Sequence, residues 1–402
     1  MKKLRVAILG CGTIGRFVLD HLADGVVPGC EPVAVYLRSP ESRGREHLES
    51  RKIPWVTSLE DLLAFSPDVV VEASTHDAVV AMGPEILTRG VDFIPLSLGA
   101  FVDPGLMEIM TAAGVVPIRL KGNVSEAISK GDAYMESIVC PFVRNVFDAA
   151  VKGKYDFLDG MVLPHQCDSI DRTDDVWSDT LKLPYRHFLN VPHVTDEASM
   201  EFMKDILRLF IRTLEEFTGK KITDESIAQA VAAHNENRRL MRELYALRKA
   251  DSPLLSGVEM MKILVAAMGL PVDESSALIR DVTDEIKHRK IPSSGGEGSR
   301  IMLVGDQIDD GAIIEAIEGT GAVLVMDDLS IGSKMYWNDV DATSDPVQGI
   351  AERYLRKLKL PTTFVDTGNT YQETLETRFG HMKRYIEEFR VDGVILFVYK
   401  FC

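Results

Sequence analysis

Short apolar runs alternate with helical periodicity through the first quarter of the chain. Residues 6–9 and 33–37 have the length and composition of buried strands, and 14–23 keeps its apolar positions on one helical face. A helical stretch at 59–65, strands at 69–71 and 93–96 and a helix at 78–89 between those two continue the alternation. Strands alternating with helices predict βαβ units and a parallel sheet.

The pattern changes near residues 104–110. Beyond it, 115–120 reads as a strand, 139–150 as a helix opened by Pro141, and 160–163 as a buried strand. Long helices are predicted at 197–217 and 224–248, followed by 257–268 and 274–288. The run Ser293-Ser294-Gly295-Gly296-Glu297-Gly298-Ser299 has linker composition. A last α/β stretch follows, with strands at 301–304, 322–326, 363–365 and 394–398 and helices at 311–318, 346–358 and 371–389. The expected fold class is α/β: an N-terminal dinucleotide-binding (Rossmann) domain over 1–106, then two further parallel α/β domains of flavodoxin or Rossmann type, 107–292 and 300–402. Helices lie between these last two. Because Cys402 comes directly after the last strand, a C-terminal truncation of the third unit is expected.

Composition narrows the function. The chain has 402 residues, 45 basic and 61 acidic, a net charge of −16, and no basic patch, which argues against nucleic-acid binding. No stretch approaches about 18 consecutive apolar residues, so no membrane span is expected, and the N-terminal apolar run breaks at Gly10 as a strand does. Five cysteines, sparse and odd in number, make a poor disulfide framework and suit the cytoplasm.

Gly10-Cys11-Gly12-Thr13-Ile14-Gly15 follows the first strand and opens the first helix, the context in which this glycine pattern becomes specific. Gly10 permits the tight turn, Gly12 lets the backbone approach a pyrophosphate, and Gly15 allows close helix–strand packing. With Thr13 and Ile14, they form the expected cofactor site at a helix N-terminus. The acidic ribose ligand expected about 20 residues on is absent, since the second strand ends Tyr36-Leu37-Arg38-Ser39. Arg38 there suits a 2′-phosphate, which favours NADP over NAD; a solvated surface arginine is the equal alternative. With this loop, Val70–His76 and Pro95–Ala100 resemble the cofactor domain of L-aspartate dehydrogenases. That resemblance implies cofactor binding without aspartate oxidation, because the domain that carries the amino-acid site has no counterpart here, and it leaves His76 a structural residue.

Cys140 precedes Pro141-Phe142, Cys167 lies in Pro164-His165-Gln166-Cys167-Asp168-Ser169 past a buried strand, and Cys402 follows the last strand. Two of the three thus fall at carboxyl ends of strands, where open α/β sheets place ligands. Spacing alone leaves three isolated buried cysteines as the better reading. The stretch Ala112–Leu120, the Cys-Pro-Phe and Gln-Cys-Asp-Ser motifs, Asn235-Glu236-Asn237-Arg238 and the ending Asp392-Gly393-Val394-Ile395 to Lys400-Phe401-Cys402 resemble the 2-hydroxyacyl-CoA dehydratase and benzoyl-CoA reductase family over about 107–402. The resemblance implies that Cys140, Cys167 and Cys402 bind a [4Fe–4S] cluster with one open iron. It further implies an acyl-CoA substrate, elimination of water through a ketyl radical, a homologous second subunit and an ATP-dependent iron–sulfur activator. Asp168 and Ser169 are expected to order the loop around Cys167. His165 and His193 are expected to stabilise loops rather than to meet the thioester, and no catalytic side chain is assigned. The chain departs from the family where the segment before Ala112 is replaced by the dinucleotide module. Three other readings stay open: a benzoyl-CoA reductase-type subunit, a nucleotide-binding protein without catalysis, and a fused or truncated chain with neither half competent.

Overall fold

The computed structural model describes the chain except residues 1–2, 43, 73–81, 83–84, 87–88, 90, 96–105, 123–125, 138, 290–297, 306, 342, 359–370 and 398–402. The predicted helix at 78–89, the linker, the strand at 363–365, His76 and Cys402 therefore lie wholly or largely outside the described residues.

The first unit holds β1 (Leu4–Leu9), α1 (Thr13–Ala23), β2 (Cys30–Tyr36), α2 (Arg45–Arg51), β3 (Trp55–Val56), α3 (Leu59–Ala64), β4 (Val69–Glu72) and β5 (Asp92–Pro95). Its strands form one parallel sheet in the order β3-β2-β1-β4-β5. The order reverses direction at β1, and that switch point lies at the glycine loop, where such sheets bind ligands. The central strand is buried from Val6 to Leu9, so it reads as a continuous apolar run rather than an alternating one.

Next come α4 (Leu106–Ala112), α5 (Pro141–Val151), β6 (Gly160–Pro164), α6 (Asp168–Thr180) and β7 (Tyr185–Leu189), with β6 and β7 pairing in parallel. Residues 115–120 are not a strand. Pro117 in the middle of that run has no N–H to give to a ladder, and the Arg119 N–H goes instead to the carbonyl of Met268 (3.3 Å). The helical region is α7 (Glu197–Thr218), α8 (Asp224–Ala246), α9 (Gly257–Met268) and α10 (Val272–Lys287). Capping boxes open α8 (Thr223 with Ser226) and α9 (Ser256 with Glu259), satisfying N–H groups the helix leaves unpaired.

The last unit holds β8 (Arg300–Gly305), α11 (Ala312–Glu318), β9 (Val323–Asp328), α12 (Ser333–Tyr336), α13 (Pro346–Glu352), α14 (Tyr371–Glu388) and β10 (Gly393–Phe397), with a parallel sheet in the order β10-β8-β9. The edge strands β5 and β10 lie side by side, so each shields the other's edge.

A buried polar network on α8 ties these parts together. Arg238 forms an ion pair with Glu108 of α4, both side chains being almost wholly buried, and donates to Asn235 Oδ1 (2.7 Å). Asn235 in turn bonds both backbone groups of Val340, and Asn237 reaches Ser275 and Ser276 of α10. Burial pushes the Glu108 carboxyl up, but Arg238, His234 and Arg353 outweigh it and bring it down to about 2.

Breaking a buried pair strands a charge, so Glu108→Gln is expected to destabilise the protein by about 3–5 kcal/mol. Urea unfolding of Glu108→Gln, Arg238→Met and the double variant checks this. The double variant is expected to lose clearly less than the sum of the single losses, because neither charge is then left alone.

Candidate functional site

The dinucleotide loop starts from a strained turn. Gly10 has φ 94°, a conformation that favours glycine, and its N–H is bound by the carbonyl of Tyr36 (2.9 Å), fastening the loop to β2. Gly12 is the N-cap of α1, with open space where a Cβ would project, and Gly15 is buried. This backbone leaves the first N–H groups of α1 for an anion. Arg38, exposed just past β2, sits beside the loop on the adjacent strand, since Leu9 pairs with Tyr36. Cys11 is buried in the loop, and burial pushes its thiol up despite Arg16. A Cβ at Gly44 would stand 2.5 Å from the Cys11 Cβ and 2.8 Å from its carbonyl oxygen, so glycine at 44 keeps the loop's inner wall free.

The second site centres on Cys140 and Cys167, which cap two helices. Cys140 is the N-cap of α5 and is buried, Pro141 filling the first helical position. Cys167 is the N-cap of α6, three residues beyond β6, and is half-buried. Neither helix has a side-chain cap bond at its start, and each cysteine stands at a helix N-terminus. The Cys140 N–H donates to Ser169 Oγ (3.3 Å), which links the start of α5 to the first turn of α6, and both cysteines pack in one apolar cluster with Phe142, Ile170 and Trp177. The two expected cysteine ligands within the described residues thus pack in one apolar cluster, and thiols are the soft donors that an iron–sulfur cluster takes. Of the two residues expected to order the Cys167 loop, Ser169 accepts from the Cys140 N–H, while Asp168 is exposed and pairs with Arg172 (3.4 Å).

His165 and His193 stabilise the loop between β7 and α7. His165 bonds Asn190 (3.1 Å) and pairs with Asp171 (3.2 Å), and His193 bonds the His165 carbonyl (3.2 Å) with the rings 4.9 Å apart. Burial pushes the Asp171 carboxyl up. On the approach to Cys140, the Asp148 carboxylate accepts three N–H bonds, from Ser129 (3.0 Å), Lys130 (2.7 Å) and Gly131 (2.8 Å), and pairs with Lys152 at 2.5 Å. Burial opposes its charge, but Lys152 and these donors prevail and hold it well below the usual carboxylate range.

A cavity of about 600 Å³ adjoins the cysteine helices. Its walls come from residues 114–120, from β6, from Phe142 and Val146 of α5 and from Ile170 and Trp177 of α6. It is mostly apolar, and the Trp177 indole N–H is buried there with no hydrogen-bond partner among the described residues. Gln307, two residues past β8, lines it too, so the length of β6 and the loop after β8 meet at one cavity. Phe397, the last described residue of β10, pairs with Gly305 at that same end of β8. At the end of β9, Asp328 is buried between Lys334 (2.8 Å) and His381 (3.1 Å), and Ile331 in the following loop packs in the Cys140 cluster. Sequence reasoning missed Trp177, Asp148 and Asp328, whose significance depends on burial and partners distant in sequence.

Residues 107–402 match the family described as 2-hydroxyglutaryl-CoA dehydratase, D-component, nearly three quarters of the chain. The chain belongs to this family. Residues 10–114 match the family described as homoserine dehydrogenase, NAD binding domain. Among curated proteins, the chain is 25% identical to a benzoyl-CoA reductase subunit of Thauera aromatica over 299 residues, covering 73% of this chain and 75% of that protein. It is likewise 25% identical to the (R)-phenyllactyl-CoA dehydratase beta subunit of Clostridium sporogenes, covering 73% and 76%. L-aspartate dehydrogenase 1 of Bordetella pertussis is 39% identical over 116 residues, which is 28% of this chain and 42% of that enzyme. No helix among the described residues is long and apolar enough to cross a membrane.

Two outcomes follow from these contacts. Asp148→Asn, which loses the charge but not the shape, is expected to cost about 1–3 kcal/mol in urea unfolding. Because its folded pKa is depressed, Asp148 contributes fully above the unfolded carboxylate pKa and loses that contribution as the pH falls toward the folded value, so the difference between wild type and variant should shrink below about pH 4. Gly44→Ala is expected to weaken NADPH binding and to lower stability by about 1–3 kcal/mol, read by fluorescence titration and thermal unfolding.

Proposed function

We propose that this chain is the [4Fe–4S] subunit of a radical 2-hydroxyacyl-CoA dehydratase and that Cys140, Cys167 and Cys402 hold the cluster. The observation that carries the proposal is the packing of two cysteines, each at a helix N-terminus, in one apolar cluster, with Ser169 of the second helix bonded to the Cys140 N–H. When bound, the cluster supplies a low-potential electron and an open iron position to an acyl thioester. The chain's own residues do the rest. The ends of α5 and α6 stabilise thiolate charge, Asp148 fixes the backbone before Cys140, and the cavity beside them excludes water from an apolar acyl group. Such a subunit works with a homologous second subunit and an ATP-dependent iron–sulfur activator in an oxygen-poor cytoplasm. The family's dehydratase subunits support the lyase reading.

The dinucleotide module, 1–106, is a separate binding unit in this proposal, ahead of the units at 107–292 and 300–402. Gly10, Gly12, Thr13, Ile14 and Gly15 hold the pyrophosphate, and Arg38 favours NADP.

Anaerobic purification with iron and sulfide analysis is the test. About four irons per chain are expected for wild type, with Cys140→Ser and Cys167→Ser each losing most of them. Gly12→Asp is expected to abolish NADPH binding and leave iron content unchanged. Absence of iron from anaerobically reconstituted wild type would defeat the cluster assignment.

A further inference from the structure

A second, smaller cavity of about 50 Å³ lies between α8, the α9–α10 corner and α12. Arg238, Arg353, His234, Asn237, Ser275 and Tyr336 all line it, with methionine and other apolar residues filling the gaps. None of its described lining residues is an aspartate or glutamate. Arg238 and Arg353 are 5% and 2% exposed, so bulk water does little to screen the field they set up in the cavity. Arg353 is held in place by the carbonyls of Asn338 (2.6 Å) and Met335 (2.7 Å), and Arg238 by Glu108 and Asn235. Glu108 stands outside the lining but neutralises Arg238, so the two fixed guanidiniums and this carboxylate leave one net positive charge beside the cavity. Burial pushes the Tyr336 hydroxyl up to about 12, so it stays protonated.

We infer that this cavity binds a carboxylate. A positive wall calls for an anion, the space suits a group of two oxygens rather than a larger dianion, and guanidiniums match the planar carboxylate fork. Asn237 and Ser275 add polar atoms to the same wall. Met107 and Pro117 line both this cavity and the large apolar one. The carboxylate therefore has two sources: a free small acid, or the head of an amphiphile whose apolar body occupies the larger space. The site is distinct from the cysteine pair, and its occupancy does not depend on the cluster.

The test is calorimetric titration of the full chain with formate and with octanoate, using octanol as the uncharged control. Val272, the first residue of α10, lines the cavity, and an acid at a helix start is tolerated or stabilising. Val272→Glu therefore places a competing carboxylate in the site of a folded protein, and Val272→Gln is the neutral control. Saturable binding of either acid, weakened at least tenfold in Val272→Glu but kept in Val272→Gln, is the expected result. Octanoate at least tenfold tighter than formate identifies the amphiphile as the source, and equal affinities identify the free acid. No saturable binding of either acid to wild type, octanol binding as tightly as octanoate, or equal acid binding by Val272→Glu overturns the inference.

Discussion

The buried pairing of Glu108 with Arg238 is the constraint on which the arrangement of the later units depends. A charge taken out of water in the protein interior must be met by another at close range, and each partner here is supplied by a different helix. Glu108 belongs to the first helix after the dinucleotide module, and Arg238 to the long helix that packs on it. The same helix reaches forward through Asn235 to Val340 and through Asn237 to α10. One turn of α8 thus fixes the angle at which three parts of the chain meet, and it does so with groups that apolar packing alone could not orient.

Strand β6 and the loop after β8, from two different parallel sheets, meet at one cavity. Parallel strands carry their following loops at the same end, and helices beginning there present unpaired N–H groups. Cys167 uses such a helix start after β6, Cys140 opens α5 beside it without a preceding strand, and Gln307 approaches from the other sheet. In the proposed reading, two soft donors at helix starts beside an apolar wall suit one cluster together, and neither cysteine would do so alone.

The N-terminal module has its own switch point and its own core, and the loop from Gly10 to Gly15 is held by its own strand β2 and by Gly44. Its β5 lies against β10 of the last unit, which covers two sheet edges that would otherwise invite pairing with another chain. Joined in this way, a module matching an NAD-binding family and a dehydratase-family region share one chain, with their candidate sites on different sheets.

The sequence alone was enough to determine the α/β class with parallel sheets, because periodicity reports which face of a segment is buried, and the glycine that takes φ 94° at the first loop stands in its motif. Motif resemblance singled out Cys140, Cys167 and Asn235-Glu236-Asn237-Arg238, but not what they do to one another. Only the tertiary structure decided that Ser169 belongs to Cys140, that residues 115–120 stand outside the sheet, and that Arg238 meets Glu108 130 positions away. These are properties of burial and of partners distant along the chain. A carboxylate such as Asp148 or a guanidinium such as Arg353 looks like any surface charge until folding removes the water around it.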